Sequence, residues 1–158
     1  SKITHKIPKS LDVVMAELPL NVRKPNEERI EWATRLLNQP DNNGTHRWSR
    51  IYAQEAIQLR EYPGRYDVPL QAIRLGEIGI AAAPCEVFSE TGLAIKAGSP
   101  FKHTMTMELA NGYSGYLPSE QQHRWGGYET WPARSSHLEV AAESKIRNEL
   151  LRLLKQLR

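Results

Sequence analysis

Pro84-Cys85-Glu86 closes the apolar run IGIAAA (78–83) and opens onto a stretch, 87–97, that reads as a helix. A carboxylate at such a corner sits where a central strand gives way to a crossover helix, the edge at which sheets of this kind collect ligands. The positive end of the helix favours its ionised form. Glu86 is therefore a candidate metal ligand or anchor, though position alone favours the simpler reading, a helix acid that only offsets the dipole. A second stretch, LANGYSGYLPSEQQHRWGGYETW (109–131), sets Tyr113, Tyr116 and Tyr128 among Gly112, Gly115, Gly126 and Gly127. Buried tyrosines need a partner for the hydroxyl, and loop carbonyls can supply it. Glycines beside them allow sharp turns and close backbone approach to a ligand.

Other chemistry has little support. There is no HExxH, G-x-S-x-G, P-loop or CxxC pattern. His5, His46, His103, His123 and His137 share no ligand spacing and read as surface or loop residues. Cys85 is the single cysteine, so no internal disulfide is possible and no redox compartment is indicated.

The elements that would position these groups follow from period and punctuation. LDVVMAELPL (11–20) reads as a strand. Asn26 caps a helix whose Ile30, Ala33, Leu36 and Leu37 share a face, and QPDNNG (39–44) is a loop. A second helix over 48–61 puts Tyr52, Ala56 and Leu59 on one stripe. YDVPLQAIRL (66–75) and IGIAAA flank Gly76-Glu77, a hairpin signal, and the second run is apolar enough for a central strand. HTMTMEL (103–109) alternates, with Met105, Met107 and Leu109 expected on the buried side.

Residues 109–131 read as a long ordered loop. Ser136-His137-Leu138-Glu139 forms a capping box for a last helix striped by Ile146, Leu150, Leu153, Leu154 and Leu157. The fold class is α/β: a mixed sheet, partly parallel with one antiparallel hairpin, flanked by helices, in one domain over 1–158. If 103–109 lies parallel to 78–83, Asn111 to Tyr116 emerge at the same edge as Glu86. Tyr113 reads as packing.

The 158 residues suit a single core, and 40% hydrophobic with 25% charged residues is a globular composition. The net charge of +3 comes from scattered basic residues, densest on the solvated face of the last helix, which argues against nucleic acid as a partner. No run approaches the roughly 18 apolar residues of a membrane helix. The opening SKITHKIPKS lacks the apolar region of a signal peptide, and a chain starting Ser1-Lys2 reads as processed or excised.

Taken together, IRLGEIGIAAAPCEVFSETGLAIK (73–96) and LANGYSGYLPSEQQHRWGGYE (109–129) resemble the C-terminal part of the catalytic domain of neutral (neutral/alkaline, non-lysosomal) ceramidases, bacterial ones above all. The resemblance centres on 71–130 and includes the final helix. It implies a portion of a larger catalytic domain, with Glu86 and Tyr116 as ligands of a catalytic zinc and Tyr128 approaching the substrate amide. A Glu86 carboxylate and a Tyr116 hydroxyl within about 5 Å of each other could both reach one zinc at a bond length of roughly 2 Å, whereas a separation well beyond about 8 Å would sink the shared site.

The implied reaction is hydrolysis of an N-acyl amide such as N-acylsphingosine, in a secreted or periplasmic protein. The family's corner glycine is Cys85 here, whose thiol would compete for the metal or simply pack. Its two histidine ligands, with a serine and an arginine near the amide, belong to an N-terminal half that is the expected partner of this chain. Alone, the chain is expected to bind zinc weakly and hydrolyse nothing. The alternative is a non-catalytic module on the same scaffold, with Trp125, Trp131 and the tyrosines as a platform for a sugar or an apolar ligand.

Overall fold

The computed structural model describes residue 8, residues 10–40 and residues 46–158. In chain order the elements are β1 (Leu11–Asn21), α1 (Glu27–Leu37), α2 (Arg47–Arg60), β2 (Arg65–Leu75), β3 (Ile78–Ala82), β4 (Glu86–Val87), α3 (Ser89–Gly98), β5 (His103–Met107), β6 (Tyr116–Leu117), α4 (Glu120–Trp125), a 3₁₀ turn (Tyr128–Thr130) and α5 (Ala142–Gln156). His5 and positions 41–44 of the expected 39–44 loop lie outside the described residues.

The sheet order is β1-β2-β3-β5. β1 and β2 pair antiparallel over their full length, from Leu11↔Leu75 to Asn21↔Arg65. The hairpin to β3 turns at Gly76-Glu77, where Gly76 takes a φ of 61° that a side chain would resist. α3 then carries the chain across to β5, which runs parallel to β3 from Ile78↔His103 to Ala82↔Met107. β4 and β6 form a separate two-stranded parallel pair at the end of this layer. The architecture is the mixed, partly parallel sheet with helices that the sequence predicts.

One face of the sheet is covered. Leu20, Val68, Leu70, Ala72 and Ala81 form a single apolar cluster with Ile95 of α3 and with Ile146, Leu150, Leu153 and Leu154 of α5. Burying each valine, leucine or isoleucine of this cluster stabilises by about 2 kcal/mol before the entropy of ordering it is counted. A smaller cluster joins α1 to α2 through Ala33, Leu36, Ala53 and Ala56.

The opposite face is open. Its rows run Val13, Ile73, Ile80, Met105 and Met15, Gln71, Ala82, Met107 across the four strands. Met15 is 58% exposed and Met105 56%. This reverses the expectation for β5, in which the methionine side was to be buried. Alternation shows that two faces differ, not which one a neighbour covers. Here the half-buried Thr104 and Thr106 take the helix side, and Met105 and Met107 take the open one.

The last helix also starts differently. Ser136 Oγ donates to Glu129 O at 2.6 Å, and Glu139 accepts from the Asn21 backbone N at 3.0 Å and from Lys145 Nζ at 2.8 Å. Long-range partners thus take the side chains that would have capped it, and α5 opens at Ala142 without a side-chain cap. A capping box does form elsewhere, between Ser119 and Gln122 at the start of α4. Among the described residues no helix is long and apolar enough to cross a membrane.

Candidate functional site

The corner after β3 is gripped by the chain that leaves β5. Ala83 N donates to Met107 O, Ala110 N to Ala83 O, and Leu109 N to Cys85 O, at 3.0–3.1 Å. Ser114 N donates to Pro84 O at 2.6 Å, and Glu86 N to Gly115 O at 2.9 Å. This interleaving is made by backbone in unusual conformations, with Leu109 at φ 52°, Asn111 at 63° and Gly115 at 74°. For a residue with a side chain the left-handed region costs roughly 1–2 kcal/mol. A side chain at Gly115 would also overlap the Ser135 carbonyl. The glycines at 112 and 115 therefore allow the tight return that pairs Glu86 with Tyr116 across β4 and β6.

At this edge Glu86 is half-buried, and no Lys, Arg or His among the described residues forms an ion pair with it. Phenols surround it instead. Tyr113 Oη donates to Glu86 Oε1 at 3.3 Å. Tyr113 is exposed, so it is not the packing residue that the sequence suggests. Tyr116 pairs with Glu86 across β4 and β6, and its ring packs on that of Tyr128. The bond to Tyr128, then burial, then the charge of Glu86 all push its pKa up, so Tyr116 keeps its proton at neutral pH. Burial and Glu86 raise Tyr113 likewise.

Tyr128 stands edge-on to Tyr116, with ring centroids 5.6 Å apart and planes at 89°. It opens the 3₁₀ turn just after Gly126 and Gly127, at φ 81° and 113°, and is 54% exposed. The structure thus brings together Glu86, Tyr116 and Tyr128, the three residues that the sequence singles out.

Arg23 fixes the segment that carries Tyr128, and sequence reasoning missed it. Its Nε donates to Leu138 O at 2.8 Å and its Nη1 to Thr130 O at 2.8 Å. Its Nη2 donates to Ser136 O at 2.6 Å and to Ser136 Oγ at 2.7 Å. These partners lie more than 100 positions away, and no local pattern announces them.

Two other groups are now placed. Cys85 is fully buried in the main core, and burial pushes its thiol up to about 12, so it packs as an uncharged thiol. His137 is not a surface residue. It is buried between the rings of Tyr62 and Tyr66, with Nδ1 2.9 Å from Arg134 O.

As a metal site the edge is partial. Among the described residues no three His, Cys, Asp or Glu side chains converge on one point. What is present is one carboxylate and adjoining phenol oxygens, donors of the type zinc accepts, where a catalytic zinc takes three protein ligands. The donors fit such an ion as part of a set that the described residues do not complete. Tyr128 also lines a cleft between its own segment and the α1–α2 pair.

No protein-family model matches the chain, and no curated protein matches it. Solved structures do. Neutral ceramidase from Pseudomonas aeruginosa superposes with a TM-score of 0.59 at 16% identity, over 94% of this chain and 28% of that one. A ceramidase complexed with C2 gives a TM-score of 0.59 at 15% identity, over 94% of this chain and 30% of that one. The chain therefore shares the fold of a portion of those proteins and spans under a third of their length. At this identity the likeness establishes the fold alone.

Proposed function

We propose that this chain is the C-terminal part of the catalytic domain of a zinc-dependent amidohydrolase. Its substrate is an N-acyl amide of the N-acylsphingosine kind. Glu86 and Tyr116 are zinc ligands in this reading, and Tyr128 is the hydroxyl that faces the amide. One observation carries it: a carboxylate without a cationic partner, met by Tyr113 and Tyr116 and adjoined by Tyr128, at the ligand-collecting end of a central parallel strand.

Bound zinc would polarise both a water and the scissile carbonyl. The chain's own residues then have separate tasks. Glu86 brings a negative charge that no basic side chain among the described residues neutralises. Tyr113 donates to that carboxylate and holds it at the edge. Tyr128, on a turn held by Arg23, would donate in this reading to the oxygen that gains charge as the amide carbonyl is attacked.

The remaining ligands come from the rest of a longer protein, and the isolated chain is inactive. The short coverage of the solved relatives and the open apolar face of the sheet, which a further layer would bury, both support this.

The test is N-acyl-amide hydrolysis by the longer protein. Tyr128→Phe is expected to lower kcat by roughly 10²–10³ with zinc retained, as loss of one oxyanion donor does. Unchanged kcat would remove Tyr128 from the chemistry. The aromatic cleft beside Tyr128 favours a second reading, a non-catalytic binding module. A longer protein that binds apolar ligands yet hydrolyses no amide would establish it.

A further inference from the structure

The cleft between α1, α2 and the segment 128–132 has a volume of about 1200 Å³, ample beside the few hundred to about 1,000 Å³ of ordinary ligand sites. Trp32, Trp48, Tyr52, Leu59, Tyr128 and Trp131 line it. Tyr52 and Trp131 meet edge-on with centroids 4.9 Å apart, and the Arg29 guanidinium lies 3.8 Å over the Trp32 ring.

The polar groups of the wall are largely committed to the fold. Asn26 Oδ1 accepts from Arg29 N at 2.9 Å, and His46 Nδ1 accepts from Trp48 N at 3.3 Å. Lys24 Nζ donates to the carbonyls of Leu59, Arg60 and Tyr62. The polar groups left over are the Arg29 guanidinium, stacked on Trp32, and the hydroxyls of Ser49, Tyr52 and Tyr128, few beside the aromatic and aliphatic surface of the wall. What the wall offers is aromatic and aliphatic surface, whose burial favours an apolar guest.

Tyr128 belongs to both regions, lining the cleft and packing on Tyr116 beside Glu86. We infer that the cleft binds one aliphatic chain of an amphiphile whose polar group lies at Tyr128, on the side of Tyr116 and Glu86. The position of the polar group rests on the function proposed above; the apolar cleft does not.

The chain's tryptophans make the test local. They are Trp32, Trp48 and Trp131 in the cleft, and Trp125, which is 73% exposed and outside it. The open sheet face carries none, so it is silent in fluorescence. Bromododecanoic acid, added to the 158-residue chain below its micelle-forming concentration, is expected to quench saturably. Trp125→Phe should leave that quenching unchanged, and a soluble oligosaccharide should not relieve it.

Trp131→Ala should weaken binding about tenfold, the loss of one aromatic wall, read through Trp32 and Trp48. If Trp131→Ala does not fold, Tyr52→Ala gives the same reading. Quenching that does not saturate, falls mainly on Trp125, survives both variants or yields to the sugar would overturn the inference. Chain binding without amide hydrolysis in the longer protein would sink the proposed reaction and leave the cleft standing. A failed cleft would leave the zinc assignment untouched.

Discussion

Glu143, in the first turn of α5, is 7% exposed and accepts from Thr91 Oγ1 at 3.0 Å and from Arg147 Nε at 2.9 Å. Glu86, on β4 just ahead of α3, meets only phenols, and no basic residue among those described pairs with it. A carboxylate taken out of water needs its charge answered. At Glu143 the fold answers it, and the residue links α3 to α5. At Glu86 the fold supplies the Tyr113 hydroxyl and, among the described residues, no basic partner, the arrangement on which the proposed ligand role rests.

The largest expected effect joins the two regions. Arg23→Ala removes the donors to Thr130 O, Leu138 O, Ser136 O and Ser136 Oγ, charge-assisted bonds that hold the Tyr128 segment against β1. It should lower stability by about 3 kcal/mol in urea unfolding. A loss under about 1 kcal/mol would mean that Tyr128 is held by something else.

Glu143→Ala comes next. It strands Thr91 and Arg147, the latter partly exposed, and should cost roughly 2 kcal/mol. Glu86→Gln, in contrast, should change stability by less than about 0.5 kcal/mol. Equal losses in the two variants would erase the distinction between the carboxylates.

The smallest effect is a pH slope. Burial lowers the pKa of His137, the nearby Arg23 charge lowers it further, and the bond to Arg134 O opposes both. The folded value thus lies below the unfolded one of about 6.5, and the unfolded chain binds more protons between the two. Stability is full above about pH 6.5 and falls as pH drops below it. His137→Asn should flatten this slope, and Glu86→Gln should leave it intact; a slope unchanged in the His137 variant would assign it to other groups.

Much of this was legible in the residues, for identifiable reasons. Gly76-Glu77 between two β-rich runs gave the hairpin, and the helix after IGIAAA gave the parallel crossover that brings Glu86 and Tyr116 to one edge. These are local signals with one geometric solution. What escaped depends on partners far along the chain. Arg23 acts on carbonyls beyond position 129, and Ser136 and Glu139 abandon a capping box for β1 and its neighbours. Met105 and Met107 face outward because the covering helices lie on the threonine side, which alternation cannot reveal. The stretch 109–131 read as a loop because β6, α4 and the 3₁₀ turn are each too short to show a period.

The most direct test of the central claim is the zinc content of the longer protein. Glu86→Gln should be compared with Glu120→Gln, a surface change on α4 that removes only an exposed ion pair with Arg124. If Glu86 is a ligand, the parent and the Glu120 variant hold about one zinc per chain. The Glu86 variant then falls well below half of that, with its fold and urea midpoint unchanged. A Glu86→Gln protein that retains its full zinc would contradict the assignment.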